Sequence, residues 1–153
     1  MNKSNIKYSI TDILGQFDLE TMGTPFIIFD PRIMVQNVEF IRDRLPQAQL
    51  FYSTKANSLP FTLKAMLAKN MGFEINTAEE LKRLKSADIV DSSRIINSSM
   101  VSSASDIRAL VNHGVNQFCI DRYSLIENLA TNAPGVNVFI RIKVPEQGSK
   151  FSF

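Results

Sequence analysis

Lys55 closes a run of apolar and β-favouring residues, Leu50-Phe51-Tyr52-Ser53-Thr54, and is followed by Ala56 and Asn57. A run of that length and composition reads as a buried strand over 50–54, with Lys55 at or just past its C-terminal end. In parallel α/β folds that end of the strand carries the chemistry. A partly desolvated amine there can form a Schiff base with an aldehyde cofactor, because its neutral form is reachable. The alternative is a solvated lysine on a loop, the usual setting for lysine. Arg141 lies between Ile140 and Ile142, and a charge in a buried strand needs a partner. A structural ion pair would satisfy it as well as a ligand would. Cys119, the single cysteine, sits in Phe118-Cys119-Ile120 and reads as a small core residue rather than a nucleophile; it can form no internal disulfide. His113, the single histidine, precedes Gly114 and reads as a polar residue at a helix end. No histidine or cysteine cluster argues for a metal.

The elements that must position these residues follow a regular rhythm. Residues 1–22 form a leader of mixed polarity with a short helix around 10–17, and Gly23-Thr24-Pro25 is a turn signal. Phe26-Ile27-Ile28-Phe29 reads as a buried strand. Asp30 and Pro31 then supply an N-cap and a first-turn proline for a helix whose apolar face is Met34, Val38, Ile41 and Leu45, ended by Pro46. After the strand at 50–54, Pro60 opens a helix carrying Leu63, Met66 and Leu67. Strand 73–76 leads into a capping box, Thr77 with Glu80, and a helix burying Leu81 and Leu84. Strand 94–98 precedes a helix capped by Ser103 with Ile107, Leu110 and Val111 inward, closed by Gly114. Strand 117–120 precedes a helix capped at Ser124 with Leu125, Ile126 and Leu129 inward. The last strand spans 137–144.

Strands from Leu50 onward begin about 22 residues apart, the cadence of a parallel α/β fold with right-handed crossovers. The cadence does not separate a doubly wound sheet from a (β/α)8 barrel. No Gly-x-Gly-x-x-Gly fingerprint or Walker sequence follows a strand, which counts against the nucleotide-binding versions.

Phe51-Tyr52-Ser53-Thr54-Lys55-Ala56-Asn57 resembles the cofactor-lysine motif of the fold-type III pyridoxal-phosphate decarboxylases, which include ornithine, lysine and diaminopimelate decarboxylases. Thr24-Pro25-Phe26 resembles the family's entry segment, and Gly72-Phe73-Glu74 its Gly-Phe-Asp strand. Ala133-Pro134-Gly135 followed by Ile140-Arg141-Ile142 resembles the ornithine/lysine branch. Gly148-Ser149-Lys150-Phe151 resembles a segment that leads into a further barrel strand. The Lys-Ala-Asn motif alone is moderately specific; the ordered set is strong. The resemblance implies an incomplete (β/α)8 TIM-type barrel of about five of eight strand–helix units, with a leader at 1–23 and a partial pyridoxal-phosphate-binding domain at 24–153.

It further implies that Lys55 is the catalytic lysine that attaches pyridoxal 5'-phosphate, with Glu74, Arg141 and Asn57 also contacting the cofactor. Glu74 stands where the family usually has aspartate. It keeps the charge that favours a protonated nitrogen at Lys55 but adds a methylene. A strand-end carboxylate facing solvent is the alternative. Asn57 would order the loop after the lysine. Asn97 matches a family asparagine, but the lysine that shortly follows it in the family is missing, since Ser98, Ser99 and Met100 come next. The family's ring-stacking histidine, glycine-rich phosphate loop, acid facing the pyridine nitrogen and partner-subunit residues lie beyond residue 153. The implied function is that of the N-terminal part of an amino-acid decarboxylase of polyamine or diamine biosynthesis, acting on ornithine or lysine and homodimeric at full length. Diaminopimelate or carboxynorspermidine decarboxylase, or a non-catalytic truncated paralogue, are the alternatives, and an unrelated small α/β binding domain is a weaker one.

The composition agrees with a globular domain, 44% hydrophobic and 21% charged over 153 residues. A net charge of +2 without a basic stripe argues against nucleic-acid or membrane partners. No apolar run nears the roughly 18 residues of a membrane span, and residues 1–7 lack the hydrophobic segment of a signal peptide. Cytoplasm is the default location.

Overall fold

The computed structural model describes residues 10–99 and 102–142. The expectations for residues 1–7, for Met100, for residues 143–144 of the last strand and for the segment Gly148 to Phe151 lie outside the described residues. The chain divides into two compact units, 1–46 and 47–153.

The first unit holds α1 (Ile10–Leu14) and α2 (Pro31–Arg44). Asp30 caps α2 as expected: its carboxylate accepts from the Arg32 N–H at 2.9 Å, and Pro31 fills the first turn. The strand expected at Phe26–Phe29 does not form. Those residues lie outside any strand, and Ile27 is 93% exposed. An apolar run becomes a strand only where a neighbour completes its ladder, and no described strand pairs with this one. The apolar face of α2 is likewise only partly buried: Val38 is covered, but Ile41 and Leu45 are exposed.

The second unit is a five-stranded, all-parallel sheet in the order of the sequence: β1 (Phe51–Ser53), β2 (Gly72–Ile75), β3 (Ile95–Asn97), β4 (Gln117–Ile120) and β5 (Asn137–Ile140). The connections are α3 (Pro60–Ala68), α4 (Ala78–Ser86), α5 (Ala104–Asn112) and α6 (Tyr123–Asn132), and successive helices pack side by side. This is the arc of a partial (β/α) barrel.

The alternation of strand side chains divides the sheet into two unlike faces. Phe73, Ile75, Ile95, Phe118 and Ile120 are all buried, as are Leu63, Met66, Leu81, Leu84, Ile107, Leu110, Leu125 and Leu129 of the four helices. Together they form the core. The register pairs Ser53 with Glu74, Glu74 with Ile96, and Cys119 with Phe139. Partners in a parallel ladder share a face, so these residues line the opposite, inner face. Cys119 is therefore a half-buried inner-face residue, and its expected place in the core goes to its two neighbours.

The ends of α3, α4 and α5 are built alike. After α3, the Asn70 N–H bonds to the Leu67 carbonyl and the Met71 N–H to that of Met66. Asp88 with Ile89, and Gly114 with Val115, repeat the pattern after α4 and α5. Each is a left-handed residue (φ +55°, +63° and +92°) followed by a buried apolar one. His113 caps α5 as expected, and burial, followed by the charge of Lys85, lowers its pKa. At the start of α4, Thr77 and Glu80 form the expected capping box. Helix α6 starts at Tyr123, one residue before the expected cap at Ser124, and Arg122 precedes it without a side-chain cap. Ile126, expected inward, is 43% exposed.

Phe118 and Phe139 lie on adjacent strands but on opposite faces. Phe118→Ala is expected to cost about 3–5 kcal/mol, the range for a core aromatic, and Phe139→Ala under about 1 kcal/mol. Urea denaturation of the two variants checks this. Equal losses would mean that the inner face is core as well.

Candidate functional site

Lys55 lies in the turn that follows β1, and the residue before it is tightly fixed. Thr54 is 1% exposed, and both its N–H (3.0 Å) and its hydroxyl (3.1 Å) donate to the carbonyl of Glu74 on β2. The Ala56 N–H then bonds back to the Ser53 carbonyl at 3.1 Å, closing the turn around Lys55. Beyond the turn, the Asn57 side-chain oxygen accepts from the Leu59 N–H at 2.9 Å and the Thr62 hydroxyl at 3.3 Å. This is the loop-ordering role expected of Asn57. The Tyr52 hydroxyl donates to the Asn57 carbonyl at 3.0 Å, and burial raises the Tyr52 pKa. Arg83 of α4 holds Ser58 at 2.9 Å. The Lys55 amine is exposed on a turn whose two flanks are fixed.

Glu74 is half-buried on the inner face and accepts a hydrogen bond from the Ser98 hydroxyl. Asn97 does not face this side. It is buried on the helix-facing side, where its amide nitrogen donates to the carbonyls of Ile75 (3.2 Å) and Asn76 (3.3 Å). Its role is to tie the end of β3 to the end of β2.

Arg141 follows β5 by one residue, and its N–H donates to the Ile120 carbonyl at 2.8 Å. Its side chain is exposed, and so is all of β5, so the premise of a buried strand charge does not hold. β5 is an edge of the described sheet, with a neighbour on one side only. By alternation Arg141 belongs to the inner face with Cys119 and Glu74. The electrostatics agree: burial pushes the Cys119 thiol up, Arg141 opposes that shift and Glu74 adds to it.

Lys55, Glu74 and Arg141 thus share the C-terminal end of one sheet, with Glu74 and Arg141 on one face. A cleft of about 240 Å³ at this end is lined by Arg141, Asp121, Tyr123 and Ile126, with neither Lys55 nor Glu74 in its wall. The strands that carry them, β1, β2 and β5, span an arc that is open between β5 and β1.

Two hydroxyls here escape sequence reasoning. Ser98 is the donor to Glu74. Ser53, the register partner of Glu74, has a buried Oγ without a hydrogen-bond partner. The available signal was their inner-face parity, which is legible only once the register is known. An orphaned hydroxyl and a guanidinium on one face suit a polar ligand with anionic oxygen atoms, and an exposed amine at the strand end suits one carrying an aldehyde.

The comparisons agree with this geometry. Residues 32–153 match the family described as "Pyridoxal-dependent decarboxylase, pyridoxal binding domain". The lysine/ornithine decarboxylase of Selenomonas ruminantium is 32% identical over 135 residues, covering 86% of this chain and 34% of that protein. The ornithine decarboxylase of Leishmania donovani is 26% identical over 130 residues, covering 84% of this chain and 18% of that one. A crystal structure of the Selenomonas ruminantium lysine decarboxylase superposes with a TM-score of 0.79 at 28% identity, over 90% of this chain and 36% of that one. A structure of SrLDC in complex with PLP and cadaverine gives 0.80 at 28% identity, over 95% and 37%. The chain therefore spans about a third or less of the length of these relatives.

Thr54→Val keeps the shape of the side chain and removes the hydroxyl bond to Glu74. It is expected to cost about 1 kcal/mol, read as a lowered urea midpoint, because the Thr54 N–H still satisfies the Glu74 carbonyl. A loss near zero would mean that the N–H alone fixes the strand end. Fold, motif order and family match converge, and the chain belongs to the pyridoxal-dependent decarboxylases, as their pyridoxal-binding domain.

Proposed function

We propose that this chain is the cofactor-attaching N-terminal part of a decarboxylase of a basic amino acid, ornithine or lysine, and that Lys55 is the attachment point for pyridoxal phosphate. The carrying observation is the placement of Lys55 one residue past the doubly bonded Thr54, at the C-terminal end of a parallel strand. The substrate class is supported by the relatives named as lysine/ornithine and ornithine decarboxylases.

When bound, the cofactor supplies an electron sink for the carbanion left as carbon dioxide departs. The chain's own residues would do the positioning. Lys55 would hold the cofactor covalently through Nζ. Glu74 would keep positive charge on that nitrogen favourable. Arg141 and the unpartnered Ser53 hydroxyl would meet cofactor oxygen atoms. Asn57 would keep the turn in place from behind, with its side-chain oxygen committed to the loop.

Borohydride trapping followed by peptide mapping tests the attachment point. After exposure of the chain to pyridoxal phosphate, Lys55→Ala is expected to lose the label mapped to the 50–57 peptide, and Lys64→Ala and Lys69→Ala to retain it. Equal labelling of all accessible lysines in the parent chain would remove support for a selective site.

A second outcome concerns turnover. Residues 1–153 by themselves are expected to release no carbon dioxide from ornithine, lysine or diaminopimelate. Arg141 is exposed and Glu74 only half-buried, so solvent screens the charges of the inner face. Measurable turnover by a monomer with one tightly bound cofactor would show that these residues suffice.

A further inference from the structure

We propose that Ser98 is a positioning residue, which fixes the Glu74 carboxylate on the inner face of the sheet through its hydroxyl. The inference deepens the cofactor-lysine reading above and rests on it for its functional meaning, but its geometry stands apart from that reading.

Ser98 follows the last residue of β3, and three bonds hold that strand end to β2. The Ser98 N–H donates to the Ile75 carbonyl at 3.1 Å, and the Asn97 amide donates to the carbonyls of Ile75 and Asn76. The Ser98 backbone is therefore fixed relative to Glu74, which lies one residue before Ile75. A serine hydroxyl has one proton to give. Two acceptors lie in reach, the Glu74 carboxylate and the Asn76 side-chain oxygen at 3.5 Å, and the carboxylate is the nearer and the charged one. The proton goes to Glu74.

A glutamate side chain has three rotatable bonds, and a half-buried one on an open face has little packing to choose among their rotamers. The Ser98 bond makes that choice. The extra methylene that separates Glu74 from an aspartate carries the carboxylate to the β3 end, and Ser98 receives it there. The backbone of the same residue anchors Thr54, and so the turn of Lys55. Glu74 is thus held at both its main chain and its side chain, and the relation between its carboxylate and the lysine-bearing turn becomes a fixed one.

The test is the rotameric order of Glu74 in the whole chain, read from the three-bond couplings of its side-chain methylenes by NMR, with the Phe73 and Ile75 amide shifts as the control for folding. The parent chain is expected to show one dominant rotamer. Ser98→Ala should average the couplings towards free rotation, and Ser98→Thr, which keeps the hydroxyl, should restore them. An Asn76→Ala variant should leave them as in the parent. Glu74 staying ordered in Ser98→Ala, or becoming disordered equally in Ser98→Thr, would overturn the proposal. A purely structural Ser98 would lower stability without changing the Glu74 couplings. Unselective labelling of lysines in the trapping experiment would sink the cofactor reading and leave this result standing.

Discussion

The main-chain carbonyl of Glu74 accepts two hydrogen bonds from Thr54, and the candidate site depends on that junction. A lysine at a strand end is of no use to an aldehyde ligand if the end frays, since a three-residue strand such as β1 has few ladder bonds of its own. The buried Thr54 solves this locally. It satisfies a carbonyl at the end of β2 and at the same time stops β1, so that the next residue turns out of the sheet. Lys55 gains exposure without gaining freedom in its backbone.

The two-residue period of a strand then decides which side chains meet. The helices cover one face, where the buried residues are mostly apolar and where Asn97 and Thr54 are hydrogen-bonded to backbone and Thr62 to the Asn57 side chain. The polar and reactive groups, Ser53, Glu74, Cys119 and Arg141, lie on the face that the helices leave uncovered. Stability and chemistry are thus separated by parity alone. Changes on the inner face disturb the core little, and the core fixes the register on which the inner face depends.

What was legible in the sequence follows the range of the signals. The capping box of Thr77 and Glu80 and the Asp30-Pro31 start of α2 are local, and the structure shows both. The strand–helix cadence is local too, and it was enough for a parallel sheet; the barrel-like sequence order of the strands came from the family resemblance. The Gly114 helix end was legible because glycine advertises a positive φ; Asn70 and Asp88 adopt the same conformation without that signal. Phe26 to Phe29 misled because a strand also requires a neighbour, which no local pattern reports. Of the candidate site, Lys55 and Glu74 were legible as residues at strand ends. The Ser98–Glu74 bond was not, because it joins residues 24 apart through a register that the sequence does not print.

Arg141 is the member of the site least fixed by the described residues. Val138, Phe139, Ile140 and Ile142 around it are 48–76% exposed, although burial of one such side chain is worth about 1.5–3 kcal/mol. Several kcal/mol of apolar burial are therefore unrealised along this edge, and its unpaired backbone groups add to what a covering element would gain. On the α6 side the same edge opens a cleft of about 180 Å³ lined by Leu129, Ala133, Val136 and Val138. The turn of Lys55 and the side chain of Glu74 are held by bonds to neighbouring strands within the sheet, whereas among the described residues the backbone bond shown for Arg141 is the one to Ile120. The direction of the guanidinium is consequently set by whatever packs against β5. The turn that carries Lys55 and the carboxylate of Glu74 are thus held by bonds within the described sheet, while the position of Arg141 depends on what covers the edge.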